Sequence, residues 1–102
     1  MKQIWGVDCA RFGNDASAIC KRRGNALAEK TEIRKGYDTM QVTGWVKSQW
    51  DACLPSDRPS EILVDVIGIG AGVCDRLMEL GLPARGINVS ETAAMTELYT
   101  NL

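Results

Sequence analysis

The chain has 102 residues, of which 45% are hydrophobic, and its formal net charge is −1 at pH 7. This length and apolar content suit one modest hydrophobic core, so we expect a single domain over residues 1–102. The near-zero charge excludes a protein that binds nucleic acid or membranes through global basic charge, and a polyanion must then be bound by a local cluster.

The residue types narrow the chemistry further. The sequence contains no histidine, which excludes Ser-His and Cys-His catalytic pairs and zinc sites that use histidine.

The sequence has no run of about 18 apolar residues and no signal-peptide pattern, so we expect a soluble, cytoplasmic protein. The widely spaced cysteines then predict buried, reduced thiols. They are Cys9, Cys20, Cys53 and Cys74. Carboxylates are the main candidates left for catalysis.

The first part of the chain predicts a three-stranded antiparallel meander. Residues 3–8 are mostly apolar and read as a strand, and residues 16–23 form the next extended stretch. Gly24-Asn25 is a two-residue hairpin signal, after which residues 26–34 can return antiparallel to the second strand.

The second part predicts two units of a helix followed by a strand. Apolar residues recur at helical spacing over residues 39–53, with Asp38 as the N-cap, and residues 71–80 predict a second helix. Residues 61–66 and 84–89 predict the fourth and fifth strands. Because helical crossovers favour parallel placement of the first, fourth and fifth strands, we expect a mixed α/β sheet.

Two of these strands end on a lone aspartate, Asp8 in the first and Asp65 in the fourth. A carboxylate at the end of a buried strand costs free energy unless a positive group compensates it. Because neighbouring strands are only about 4.8 Å apart, both carboxylates can lie at one sheet edge and hold a divalent ion, for which Mg²⁺ suits them better than zinc. This pattern indicates metal-dependent phosphoryl chemistry. In the alternative interpretation, Asp8 opens a turn and Asp65 caps the loop before a helix.

A glycine-rich loop over residues 68–72 follows Asp65 and precedes the second helix. Its backbone N–H groups can bind a phosphate at the helix N-terminus, or its glycines can simply allow close backbone packing behind Asp65. The sequence has no Gly-x-x-x-x-Gly-Lys-[Ser/Thr] motif, which excludes a nucleotide-hydrolysing P-loop.

One compact basic cluster stands at the tip of the predicted meander. It consists of Lys21, Arg22 and Arg23, with Arg11 as a further candidate. A projecting basic hairpin would suit the phosphate backbone of DNA, and a solvated turn is the alternative interpretation.

Two runs of residues carry a resemblance to a known family. They are Gly6-Val7-Asp8-Cys9-Ala10-Arg11-Phe12-Gly13-Asn14-Asp15 and Ile62-Leu63-Val64-Asp65-Val66-Ile67-Gly68-Ile69-Gly70-Ala71-Gly72-Val73-Cys74-Asp75-Arg76-Leu77. Together they resemble the nuclease domain of phage terminase large subunits, the motors that package and cut viral DNA. The second run is the more specific. Gly86-Ile87-Asn88-Val89 and Leu98-Tyr99-Thr100-Asn101 are similar to that family's continuation.

The resemblance implies a ribonuclease H-like fold in which Asp8 and Asp65 are the catalytic ligands of two Mg²⁺ or Mn²⁺ ions. Asp15 matches the family's first motif, as an accessory residue or a turn former. The implied activity is endonucleolytic cleavage of double-stranded DNA in a bacterial host. The implied partners are a terminase ATPase domain, the small terminase subunit and the portal protein. The first helix has acidic residues only near its ends, Asp38 and Asp51, which fits terminases better than ribonuclease H itself.

The chain departs from this family in two ways. Family members carry an ATPase domain before the nuclease, and they carry a third acidic ligand on a segment after the fifth strand. Here residues 90–102 read as a loop that supplies neither that ligand nor a closing helix. We therefore expect a fold truncated at its C-terminus, from an excised fragment or a remnant gene product, with an incomplete metal site and poor cleavage in isolation.

Two other functions stay open. An actin-like or sugar-kinase-like ATPase lobe shares the strand order and also opens with a Gly-x-Asp strand, although its first loop would carry small hydroxyl residues where this chain has Arg11-Phe12. The third candidate is a non-enzymatic module that keeps the fold for docking onto portal or small-terminase proteins.

Overall fold

The computed structural model describes residues 2–10, 15–24, 26, 27 and 29–88, and they form a mixed α/β fold. Within this part of the chain the sheet has six strands, which are β1 (Gln3–Asp8), β2 (Ala16–Arg23), β3 (Ala26–Leu27), β4 (Glu32–Lys35), β5 (Glu61–Asp65) and β6 (Ala84–Ile87). The described α-helices are α1 (Thr39–Ala52) and α2 (Gly70–Glu79), and a short 3-10 helix at Pro55–Asp57 follows α1.

The sheet combines an antiparallel side with a parallel side, and β1 lies between them. Strand β1 pairs antiparallel with β2 and parallel with β5, and β5 pairs parallel with β6. The predicted mixed sheet is confirmed, because the predicted first, fourth and fifth strands are β1, β5 and β6. Two helical crossovers produce the parallel pairs, α1 before β5 and α2 before β6.

The return strand predicted over residues 26–34 is interrupted. Both β3 and β4 pair antiparallel with β2, but in different registers: Arg22 pairs with Leu27, and Ile19 pairs with Glu32. Between these two pairs β2 covers three residue steps and the returning chain covers five. The two extra residues of the returning chain interrupt the hydrogen-bond ladder. Glu29 lies in this interruption, where its carboxylate is 3.4 Å from Lys21 Nζ.

Helix α1 begins where the sequence predicts. The Asp38 carboxylate accepts a hydrogen bond from the Gln41 backbone N–H at 2.8 Å, and the Gln41 side chain accepts one from the Asp38 N–H at 2.9 Å. This reciprocal capping box satisfies donors that a helix N-terminus leaves without intrahelical partners. At the other end the Cys53 N–H bonds to the Trp50 carbonyl, which closes the last turn.

The hydrophobic core lies between one sheet face and the two helices. Alternate residues of the central strands point into it, and the helices cover them with their apolar faces. The fully buried core side chains include Trp5, Val7, Ile62, Val64, Val42, Val46, Val73 and Leu77. Each fully buried aliphatic side chain contributes about 1.5–3 kcal/mol relative to an exposed one, so this layer is the main favourable term of the fold.

The opposite face of the sheet carries a second, smaller apolar cluster. Cys20 and Leu63 are buried there, and the partly buried Ile4 and Ile87 pack against them. The thiols are free, as predicted, and Cys9, Cys20 and Cys74 are buried. Neither described helix combines the length and the apolarity needed to cross a bilayer.

Candidate carboxylate site

The register of the two central parallel strands brings Asp8 and Asp65 to the same end of the sheet. Val7 pairs with Val64, and Asp8 and Asp65 are the next and last residues of β1 and β5. Val7 and Val64 face the helices, so strand alternation directs both aspartates to the opposite face. That face carries Leu63 and Ile87. The predicted juxtaposition on neighbouring strands is therefore present in the backbone.

The two carboxylates have different surroundings. Asp8 is exposed, whereas Asp65 is only 6% exposed. One Asp65 oxygen, Oδ1, accepts a hydrogen bond from the Ile67 backbone N–H at 3.1 Å. This bond spans two residues and forms the Asx turn that the alternative interpretation of Asp65 predicts. A carboxylate has about four acceptor positions, so the turn orients Asp65 and leaves acceptor capacity for a cation.

The glycine-rich loop packs tightly behind Asp65. A Cβ atom at Gly70 would lie only 1.7 Å from the Asp65 carbonyl oxygen, so the first residue of α2 has room for glycine alone. Gly68 adopts a positive φ of 67°, a conformation that residues with a Cβ rarely adopt. The Gly70 N–H bonds to the Ile67 carbonyl at 3.3 Å. These contacts support the packing interpretation of the glycines.

Cys9 belongs to this site, and its position next to Asp8 is the one signal in the sequence that could have placed it there. Burial, followed by the negative charges of Asp8 and Asp65 and a contribution from Cys74, raises the pKa of the Cys9 thiol to about 12. Both carboxylates therefore lie within electrostatic reach of one buried sulfur atom. At neutral pH the thiol is protonated, so Cys9 is not a nucleophile.

Asp15 lies at the same end of the sheet, because it precedes β2 and β2 runs antiparallel to β1. It is exposed, and its carbonyl accepts a hydrogen bond from the Gly36 N–H at 3.2 Å. That bond ties the start of β2 to the residue after β4, which agrees with a turn-forming role. Within the described ranges no group of three or more His, Cys, Asp or Glu side chains is arranged to hold a metal ion.

The predicted basic cluster does not form one exposed surface, and this corrects the sequence interpretation. Lys21 and Arg22 are buried, at 6% and 5% exposure, and they point to opposite faces because they are consecutive in β2. Arg23 is exposed at the strand end, and Arg11 lies outside the described residues. The hairpin tip therefore does not present three cations to one phosphate backbone.

Lys21 is held inside the protein by several partners. Its Nζ donates to Gln49 Oε1 at 2.6 Å, lies 3.4 Å from a Glu29 oxygen and 4.0 Å from a Glu32 oxygen, and sits 4.8 Å from the centre of the Trp5 ring. These contacts offset the desolvation of the ammonium group and connect β2 to α1. Lys21 is therefore a structural cation.

The sequence matches no protein-family model and no curated protein with which it was compared.

Proposed function

We propose that this chain is a metal-dependent nuclease domain with a ribonuclease H-like fold, similar to the nuclease domain of phage terminase large subunits. The observation that carries the proposal is the parallel register that ends β1 on Asp8 and β5 on Asp65, on one face of the sheet. The strand order β2-β1-β5-β6, with β2 antiparallel and the other pairs parallel, supports the same assignment. The substrate in this proposal is double-stranded DNA.

The donor chemistry of the site suits Mg²⁺ or Mn²⁺. Asp8 and Asp65 provide hard carboxylate oxygens, which these ions prefer as ligands. Bound divalent ions would supply activation of a water molecule and stabilisation of the charge that develops on the phosphodiester. Asp8 and Asp65 are two carboxylates, so further ligands would come from water, from DNA or from elsewhere in the protein.

The chain's own residues hold and orient the reacting groups in this proposal. The Ile67 N–H fixes one oxygen of Asp65, and the packing of Gly70 against the Asp65 carbonyl fixes the backbone beneath it. Asp8 is exposed on the neighbouring strand, where its carboxylate would be open to a cation from solvent. The terminase ATPase domain, small subunit and portal protein are proposed partners, and they rest on the family resemblance.

Metal binding tests the proposal directly. Isothermal titration of the 102-residue chain with Mn²⁺ should give saturable binding, and Asp8→Asn or Asp65→Asn should each weaken it by about tenfold or more. Asn at position 65 keeps an oxygen that can accept the Ile67 hydrogen bond, so this variant retains the turn. The matched control is Asp75→Asn, which removes an exposed carboxylate from α2 and should bind like the wild type.

Unchanged Mn²⁺ affinity in both strand-end variants would contradict the proposal, as would the absence of binding to the wild type. A second assay incubates supercoiled plasmid with the chain and Mn²⁺. We expect slow conversion to relaxed DNA by the wild type and by Asp75→Asn, because two carboxylates form an incomplete site, and intact plasmid from Asp8→Asn.

A further inference from the structure

A polar cavity of about 320 Å³ lies at the end of the sheet opposite to the two aspartates. Gln3 begins β1 there, Arg23 ends β2 beside it, and the Ser60 N–H bonds to the Gln3 carbonyl at 2.9 Å. Gln3 and Asp8 are the two ends of β1, and the five residue steps between them place the cavity roughly 17 Å from Asp8. This volume is at the small end of the range for ligand sites, so it suits a small group.

Three cations line the cavity, namely Lys2, Arg23 and Arg58. Lys2 and Arg23 are exposed, and within the described part of the chain none of the three forms an ion pair. One carboxylate, Asp57, shares the lining, so the cations outnumber it. Convergent cations without carboxylate partners create a positive potential that attracts an anion.

Arg58 is positioned in advance for this role. Its Nε donates to the Trp50 carbonyl at 3.3 Å, and its guanidinium carbon lies 4.9 Å from the centre of the Trp50 ring. These contacts hold the planar group while its terminal N–H donors make no hydrogen bond to the described residues. An arginine fixed in this way loses little rotamer freedom when its free edge binds two oxygens of an anion.

Neutral donors complete the lining. The side-chain oxygen of Gln3 accepts a hydrogen bond from the Trp5 indole N–H at 3.1 Å, which leaves the Gln3 amide NH₂ as the donor end of that side chain. Ser56 contributes an exposed hydroxyl. Amide and hydroxyl donors beside cations satisfy the several oxygens of one tetrahedral anion.

We propose that this cavity is a phosphate-binding site, formed by Lys2, Arg23 and Arg58. It is separate from the carboxylate site and does not depend on the nuclease proposal. The phosphate belongs to a small phosphorylated molecule or to a nucleic-acid backbone, since both present the same tetrahedral oxygens.

The test is an NMR titration of the full chain with inorganic phosphate. The Trp5 indole and Arg23 backbone signals should shift with saturation in the millimolar range, as expected for a few partly solvated charge contacts. Lys2→Gln and Arg23→Gln should each weaken binding by roughly fivefold. Asp57→Asn should strengthen it, because it removes the one opposing charge.

The matched control is Lys35→Gln, which removes an exposed lysine at the end of β4. Lys35 pairs with Ala16 at the opposite end of β2 from the cavity, so the affinity should stay unchanged. Since the four substituted side chains are all exposed, these variants keep the fold, and circular dichroism verifies it. Non-saturating shifts, equal loss in Lys35→Gln and Lys2→Gln, or no gain in Asp57→Asn would each overturn the proposal.

A second titration with a short DNA duplex distinguishes the two sources of phosphate. Shifts of the same Trp5 and Arg23 signals, with a Trp5 shift that needs more duplex in Arg23→Gln, identify a nucleic-acid backbone as the ligand. Saturation by inorganic phosphate with no response to the duplex identifies a small phosphorylated molecule.

Discussion

Gly70 lies where the first turn of α2 packs against the end of β5. The two elements can approach this closely because glycine has no side chain. Gly44, in the middle of α1, has the opposite surroundings, because a Cβ atom there would meet nothing within 4 Å. The two glycines share a helical backbone and differ in the space beside them. Substituting each glycine by alanine therefore distinguishes the steric effect of a Cβ atom on stability from the effect of helix propensity.

We expect Gly70→Ala to lower the free energy of unfolding by about 2 kcal/mol or more, because the Asp65 carbonyl is backbone and cannot move aside cheaply. Gly44→Ala should raise it by up to about 1 kcal/mol, since alanine favours the helix and restricts the unfolded chain. Urea denaturation followed by circular dichroism measures both. Equal effects of the two substitutions would contradict the close contact at Gly70.

The raised pKa of Cys9 predicts a loss of stability in alkaline solution. The folded protein keeps the thiol proton up to a pKa of about 12, whereas the unfolded chain loses it near the ordinary value of 9.0. Unfolding therefore releases a proton at a pH between these values. Below pH about 9 the thiol does not lower the free energy of unfolding, and above it this free energy falls by about 1.4 kcal/mol per pH unit. The buried Cys20 and Cys74 thiols, whose pKa values are also raised, add to the decline.

Urea unfolding at about pH 8 and about pH 10 measures this contribution. Cys9→Ala should be less stable than the wild type at the lower pH because it leaves a small cavity. Its further loss at the higher pH should be smaller than that of the wild type by about 1.4 kcal/mol. Cys53→Ala, at the end of α1, serves as the control and should keep the wild-type decline.

Single residues were predictable from the sequence where the local chain decides their role. Asp38 is an example, because an N-cap depends only on the next few residues. The burial of Lys21 was not predictable, since lysines are mostly exposed and its partners Glu29 and Gln49 come from other elements. The one available signal was its alternation with Ile19 in β2, which places it on the core face.

At the scale of elements, the capping box of α1 contributes a measurable part of the fold. Asp38→Ala removes the acceptor of the Gln41 N–H and should lower the free energy of unfolding by about 1 kcal/mol. Asp75→Ala, at an exposed position within α2, should be neutral or slightly stabilising because alanine favours a helix interior. Thermal unfolding of the two variants tests the difference, and equal melting temperatures would show that the cap contributes nothing.

The elements themselves were predictable to the extent that their periodicity is local. Apolar spacing placed both helices and the strands of the parallel side, because burial on one face repeats along each element. The break between β3 and β4 was missed, since a register shift depends on which residues of two strands face each other. The same holds for the carboxylate site. The positions of Asp8 and Asp65 at strand ends were predictable from the sequence, but the packing of Gly70 and Cys9 against them was not.

At the scale of the whole molecule, the cysteines report on global opening. Cys9, Cys20 and Cys74 are buried on both sides of the sheet, whereas Cys53 is half-buried at the end of α1. Ellman's reagent at neutral pH should therefore modify one thiol per chain rapidly. The other three should react slowly and together, at a rate that rises with urea.

Cys53→Ser should remove the rapid phase and leave the slow one. Three widely different slow rates would contradict cooperative protection, because they would mean that the faces of the sheet open separately.

The central place of β1 has a consequence for synthesis on the ribosome. Its antiparallel partner β2 follows at once, but β5, which covers its other side, comes more than half the chain later. At ordinary translation speeds this interval lasts on the order of several seconds. During that time the nascent chain exposes an unpaired strand edge beside Trp5 and Val7, which makes pairing with a neighbouring nascent chain the main hazard of its production.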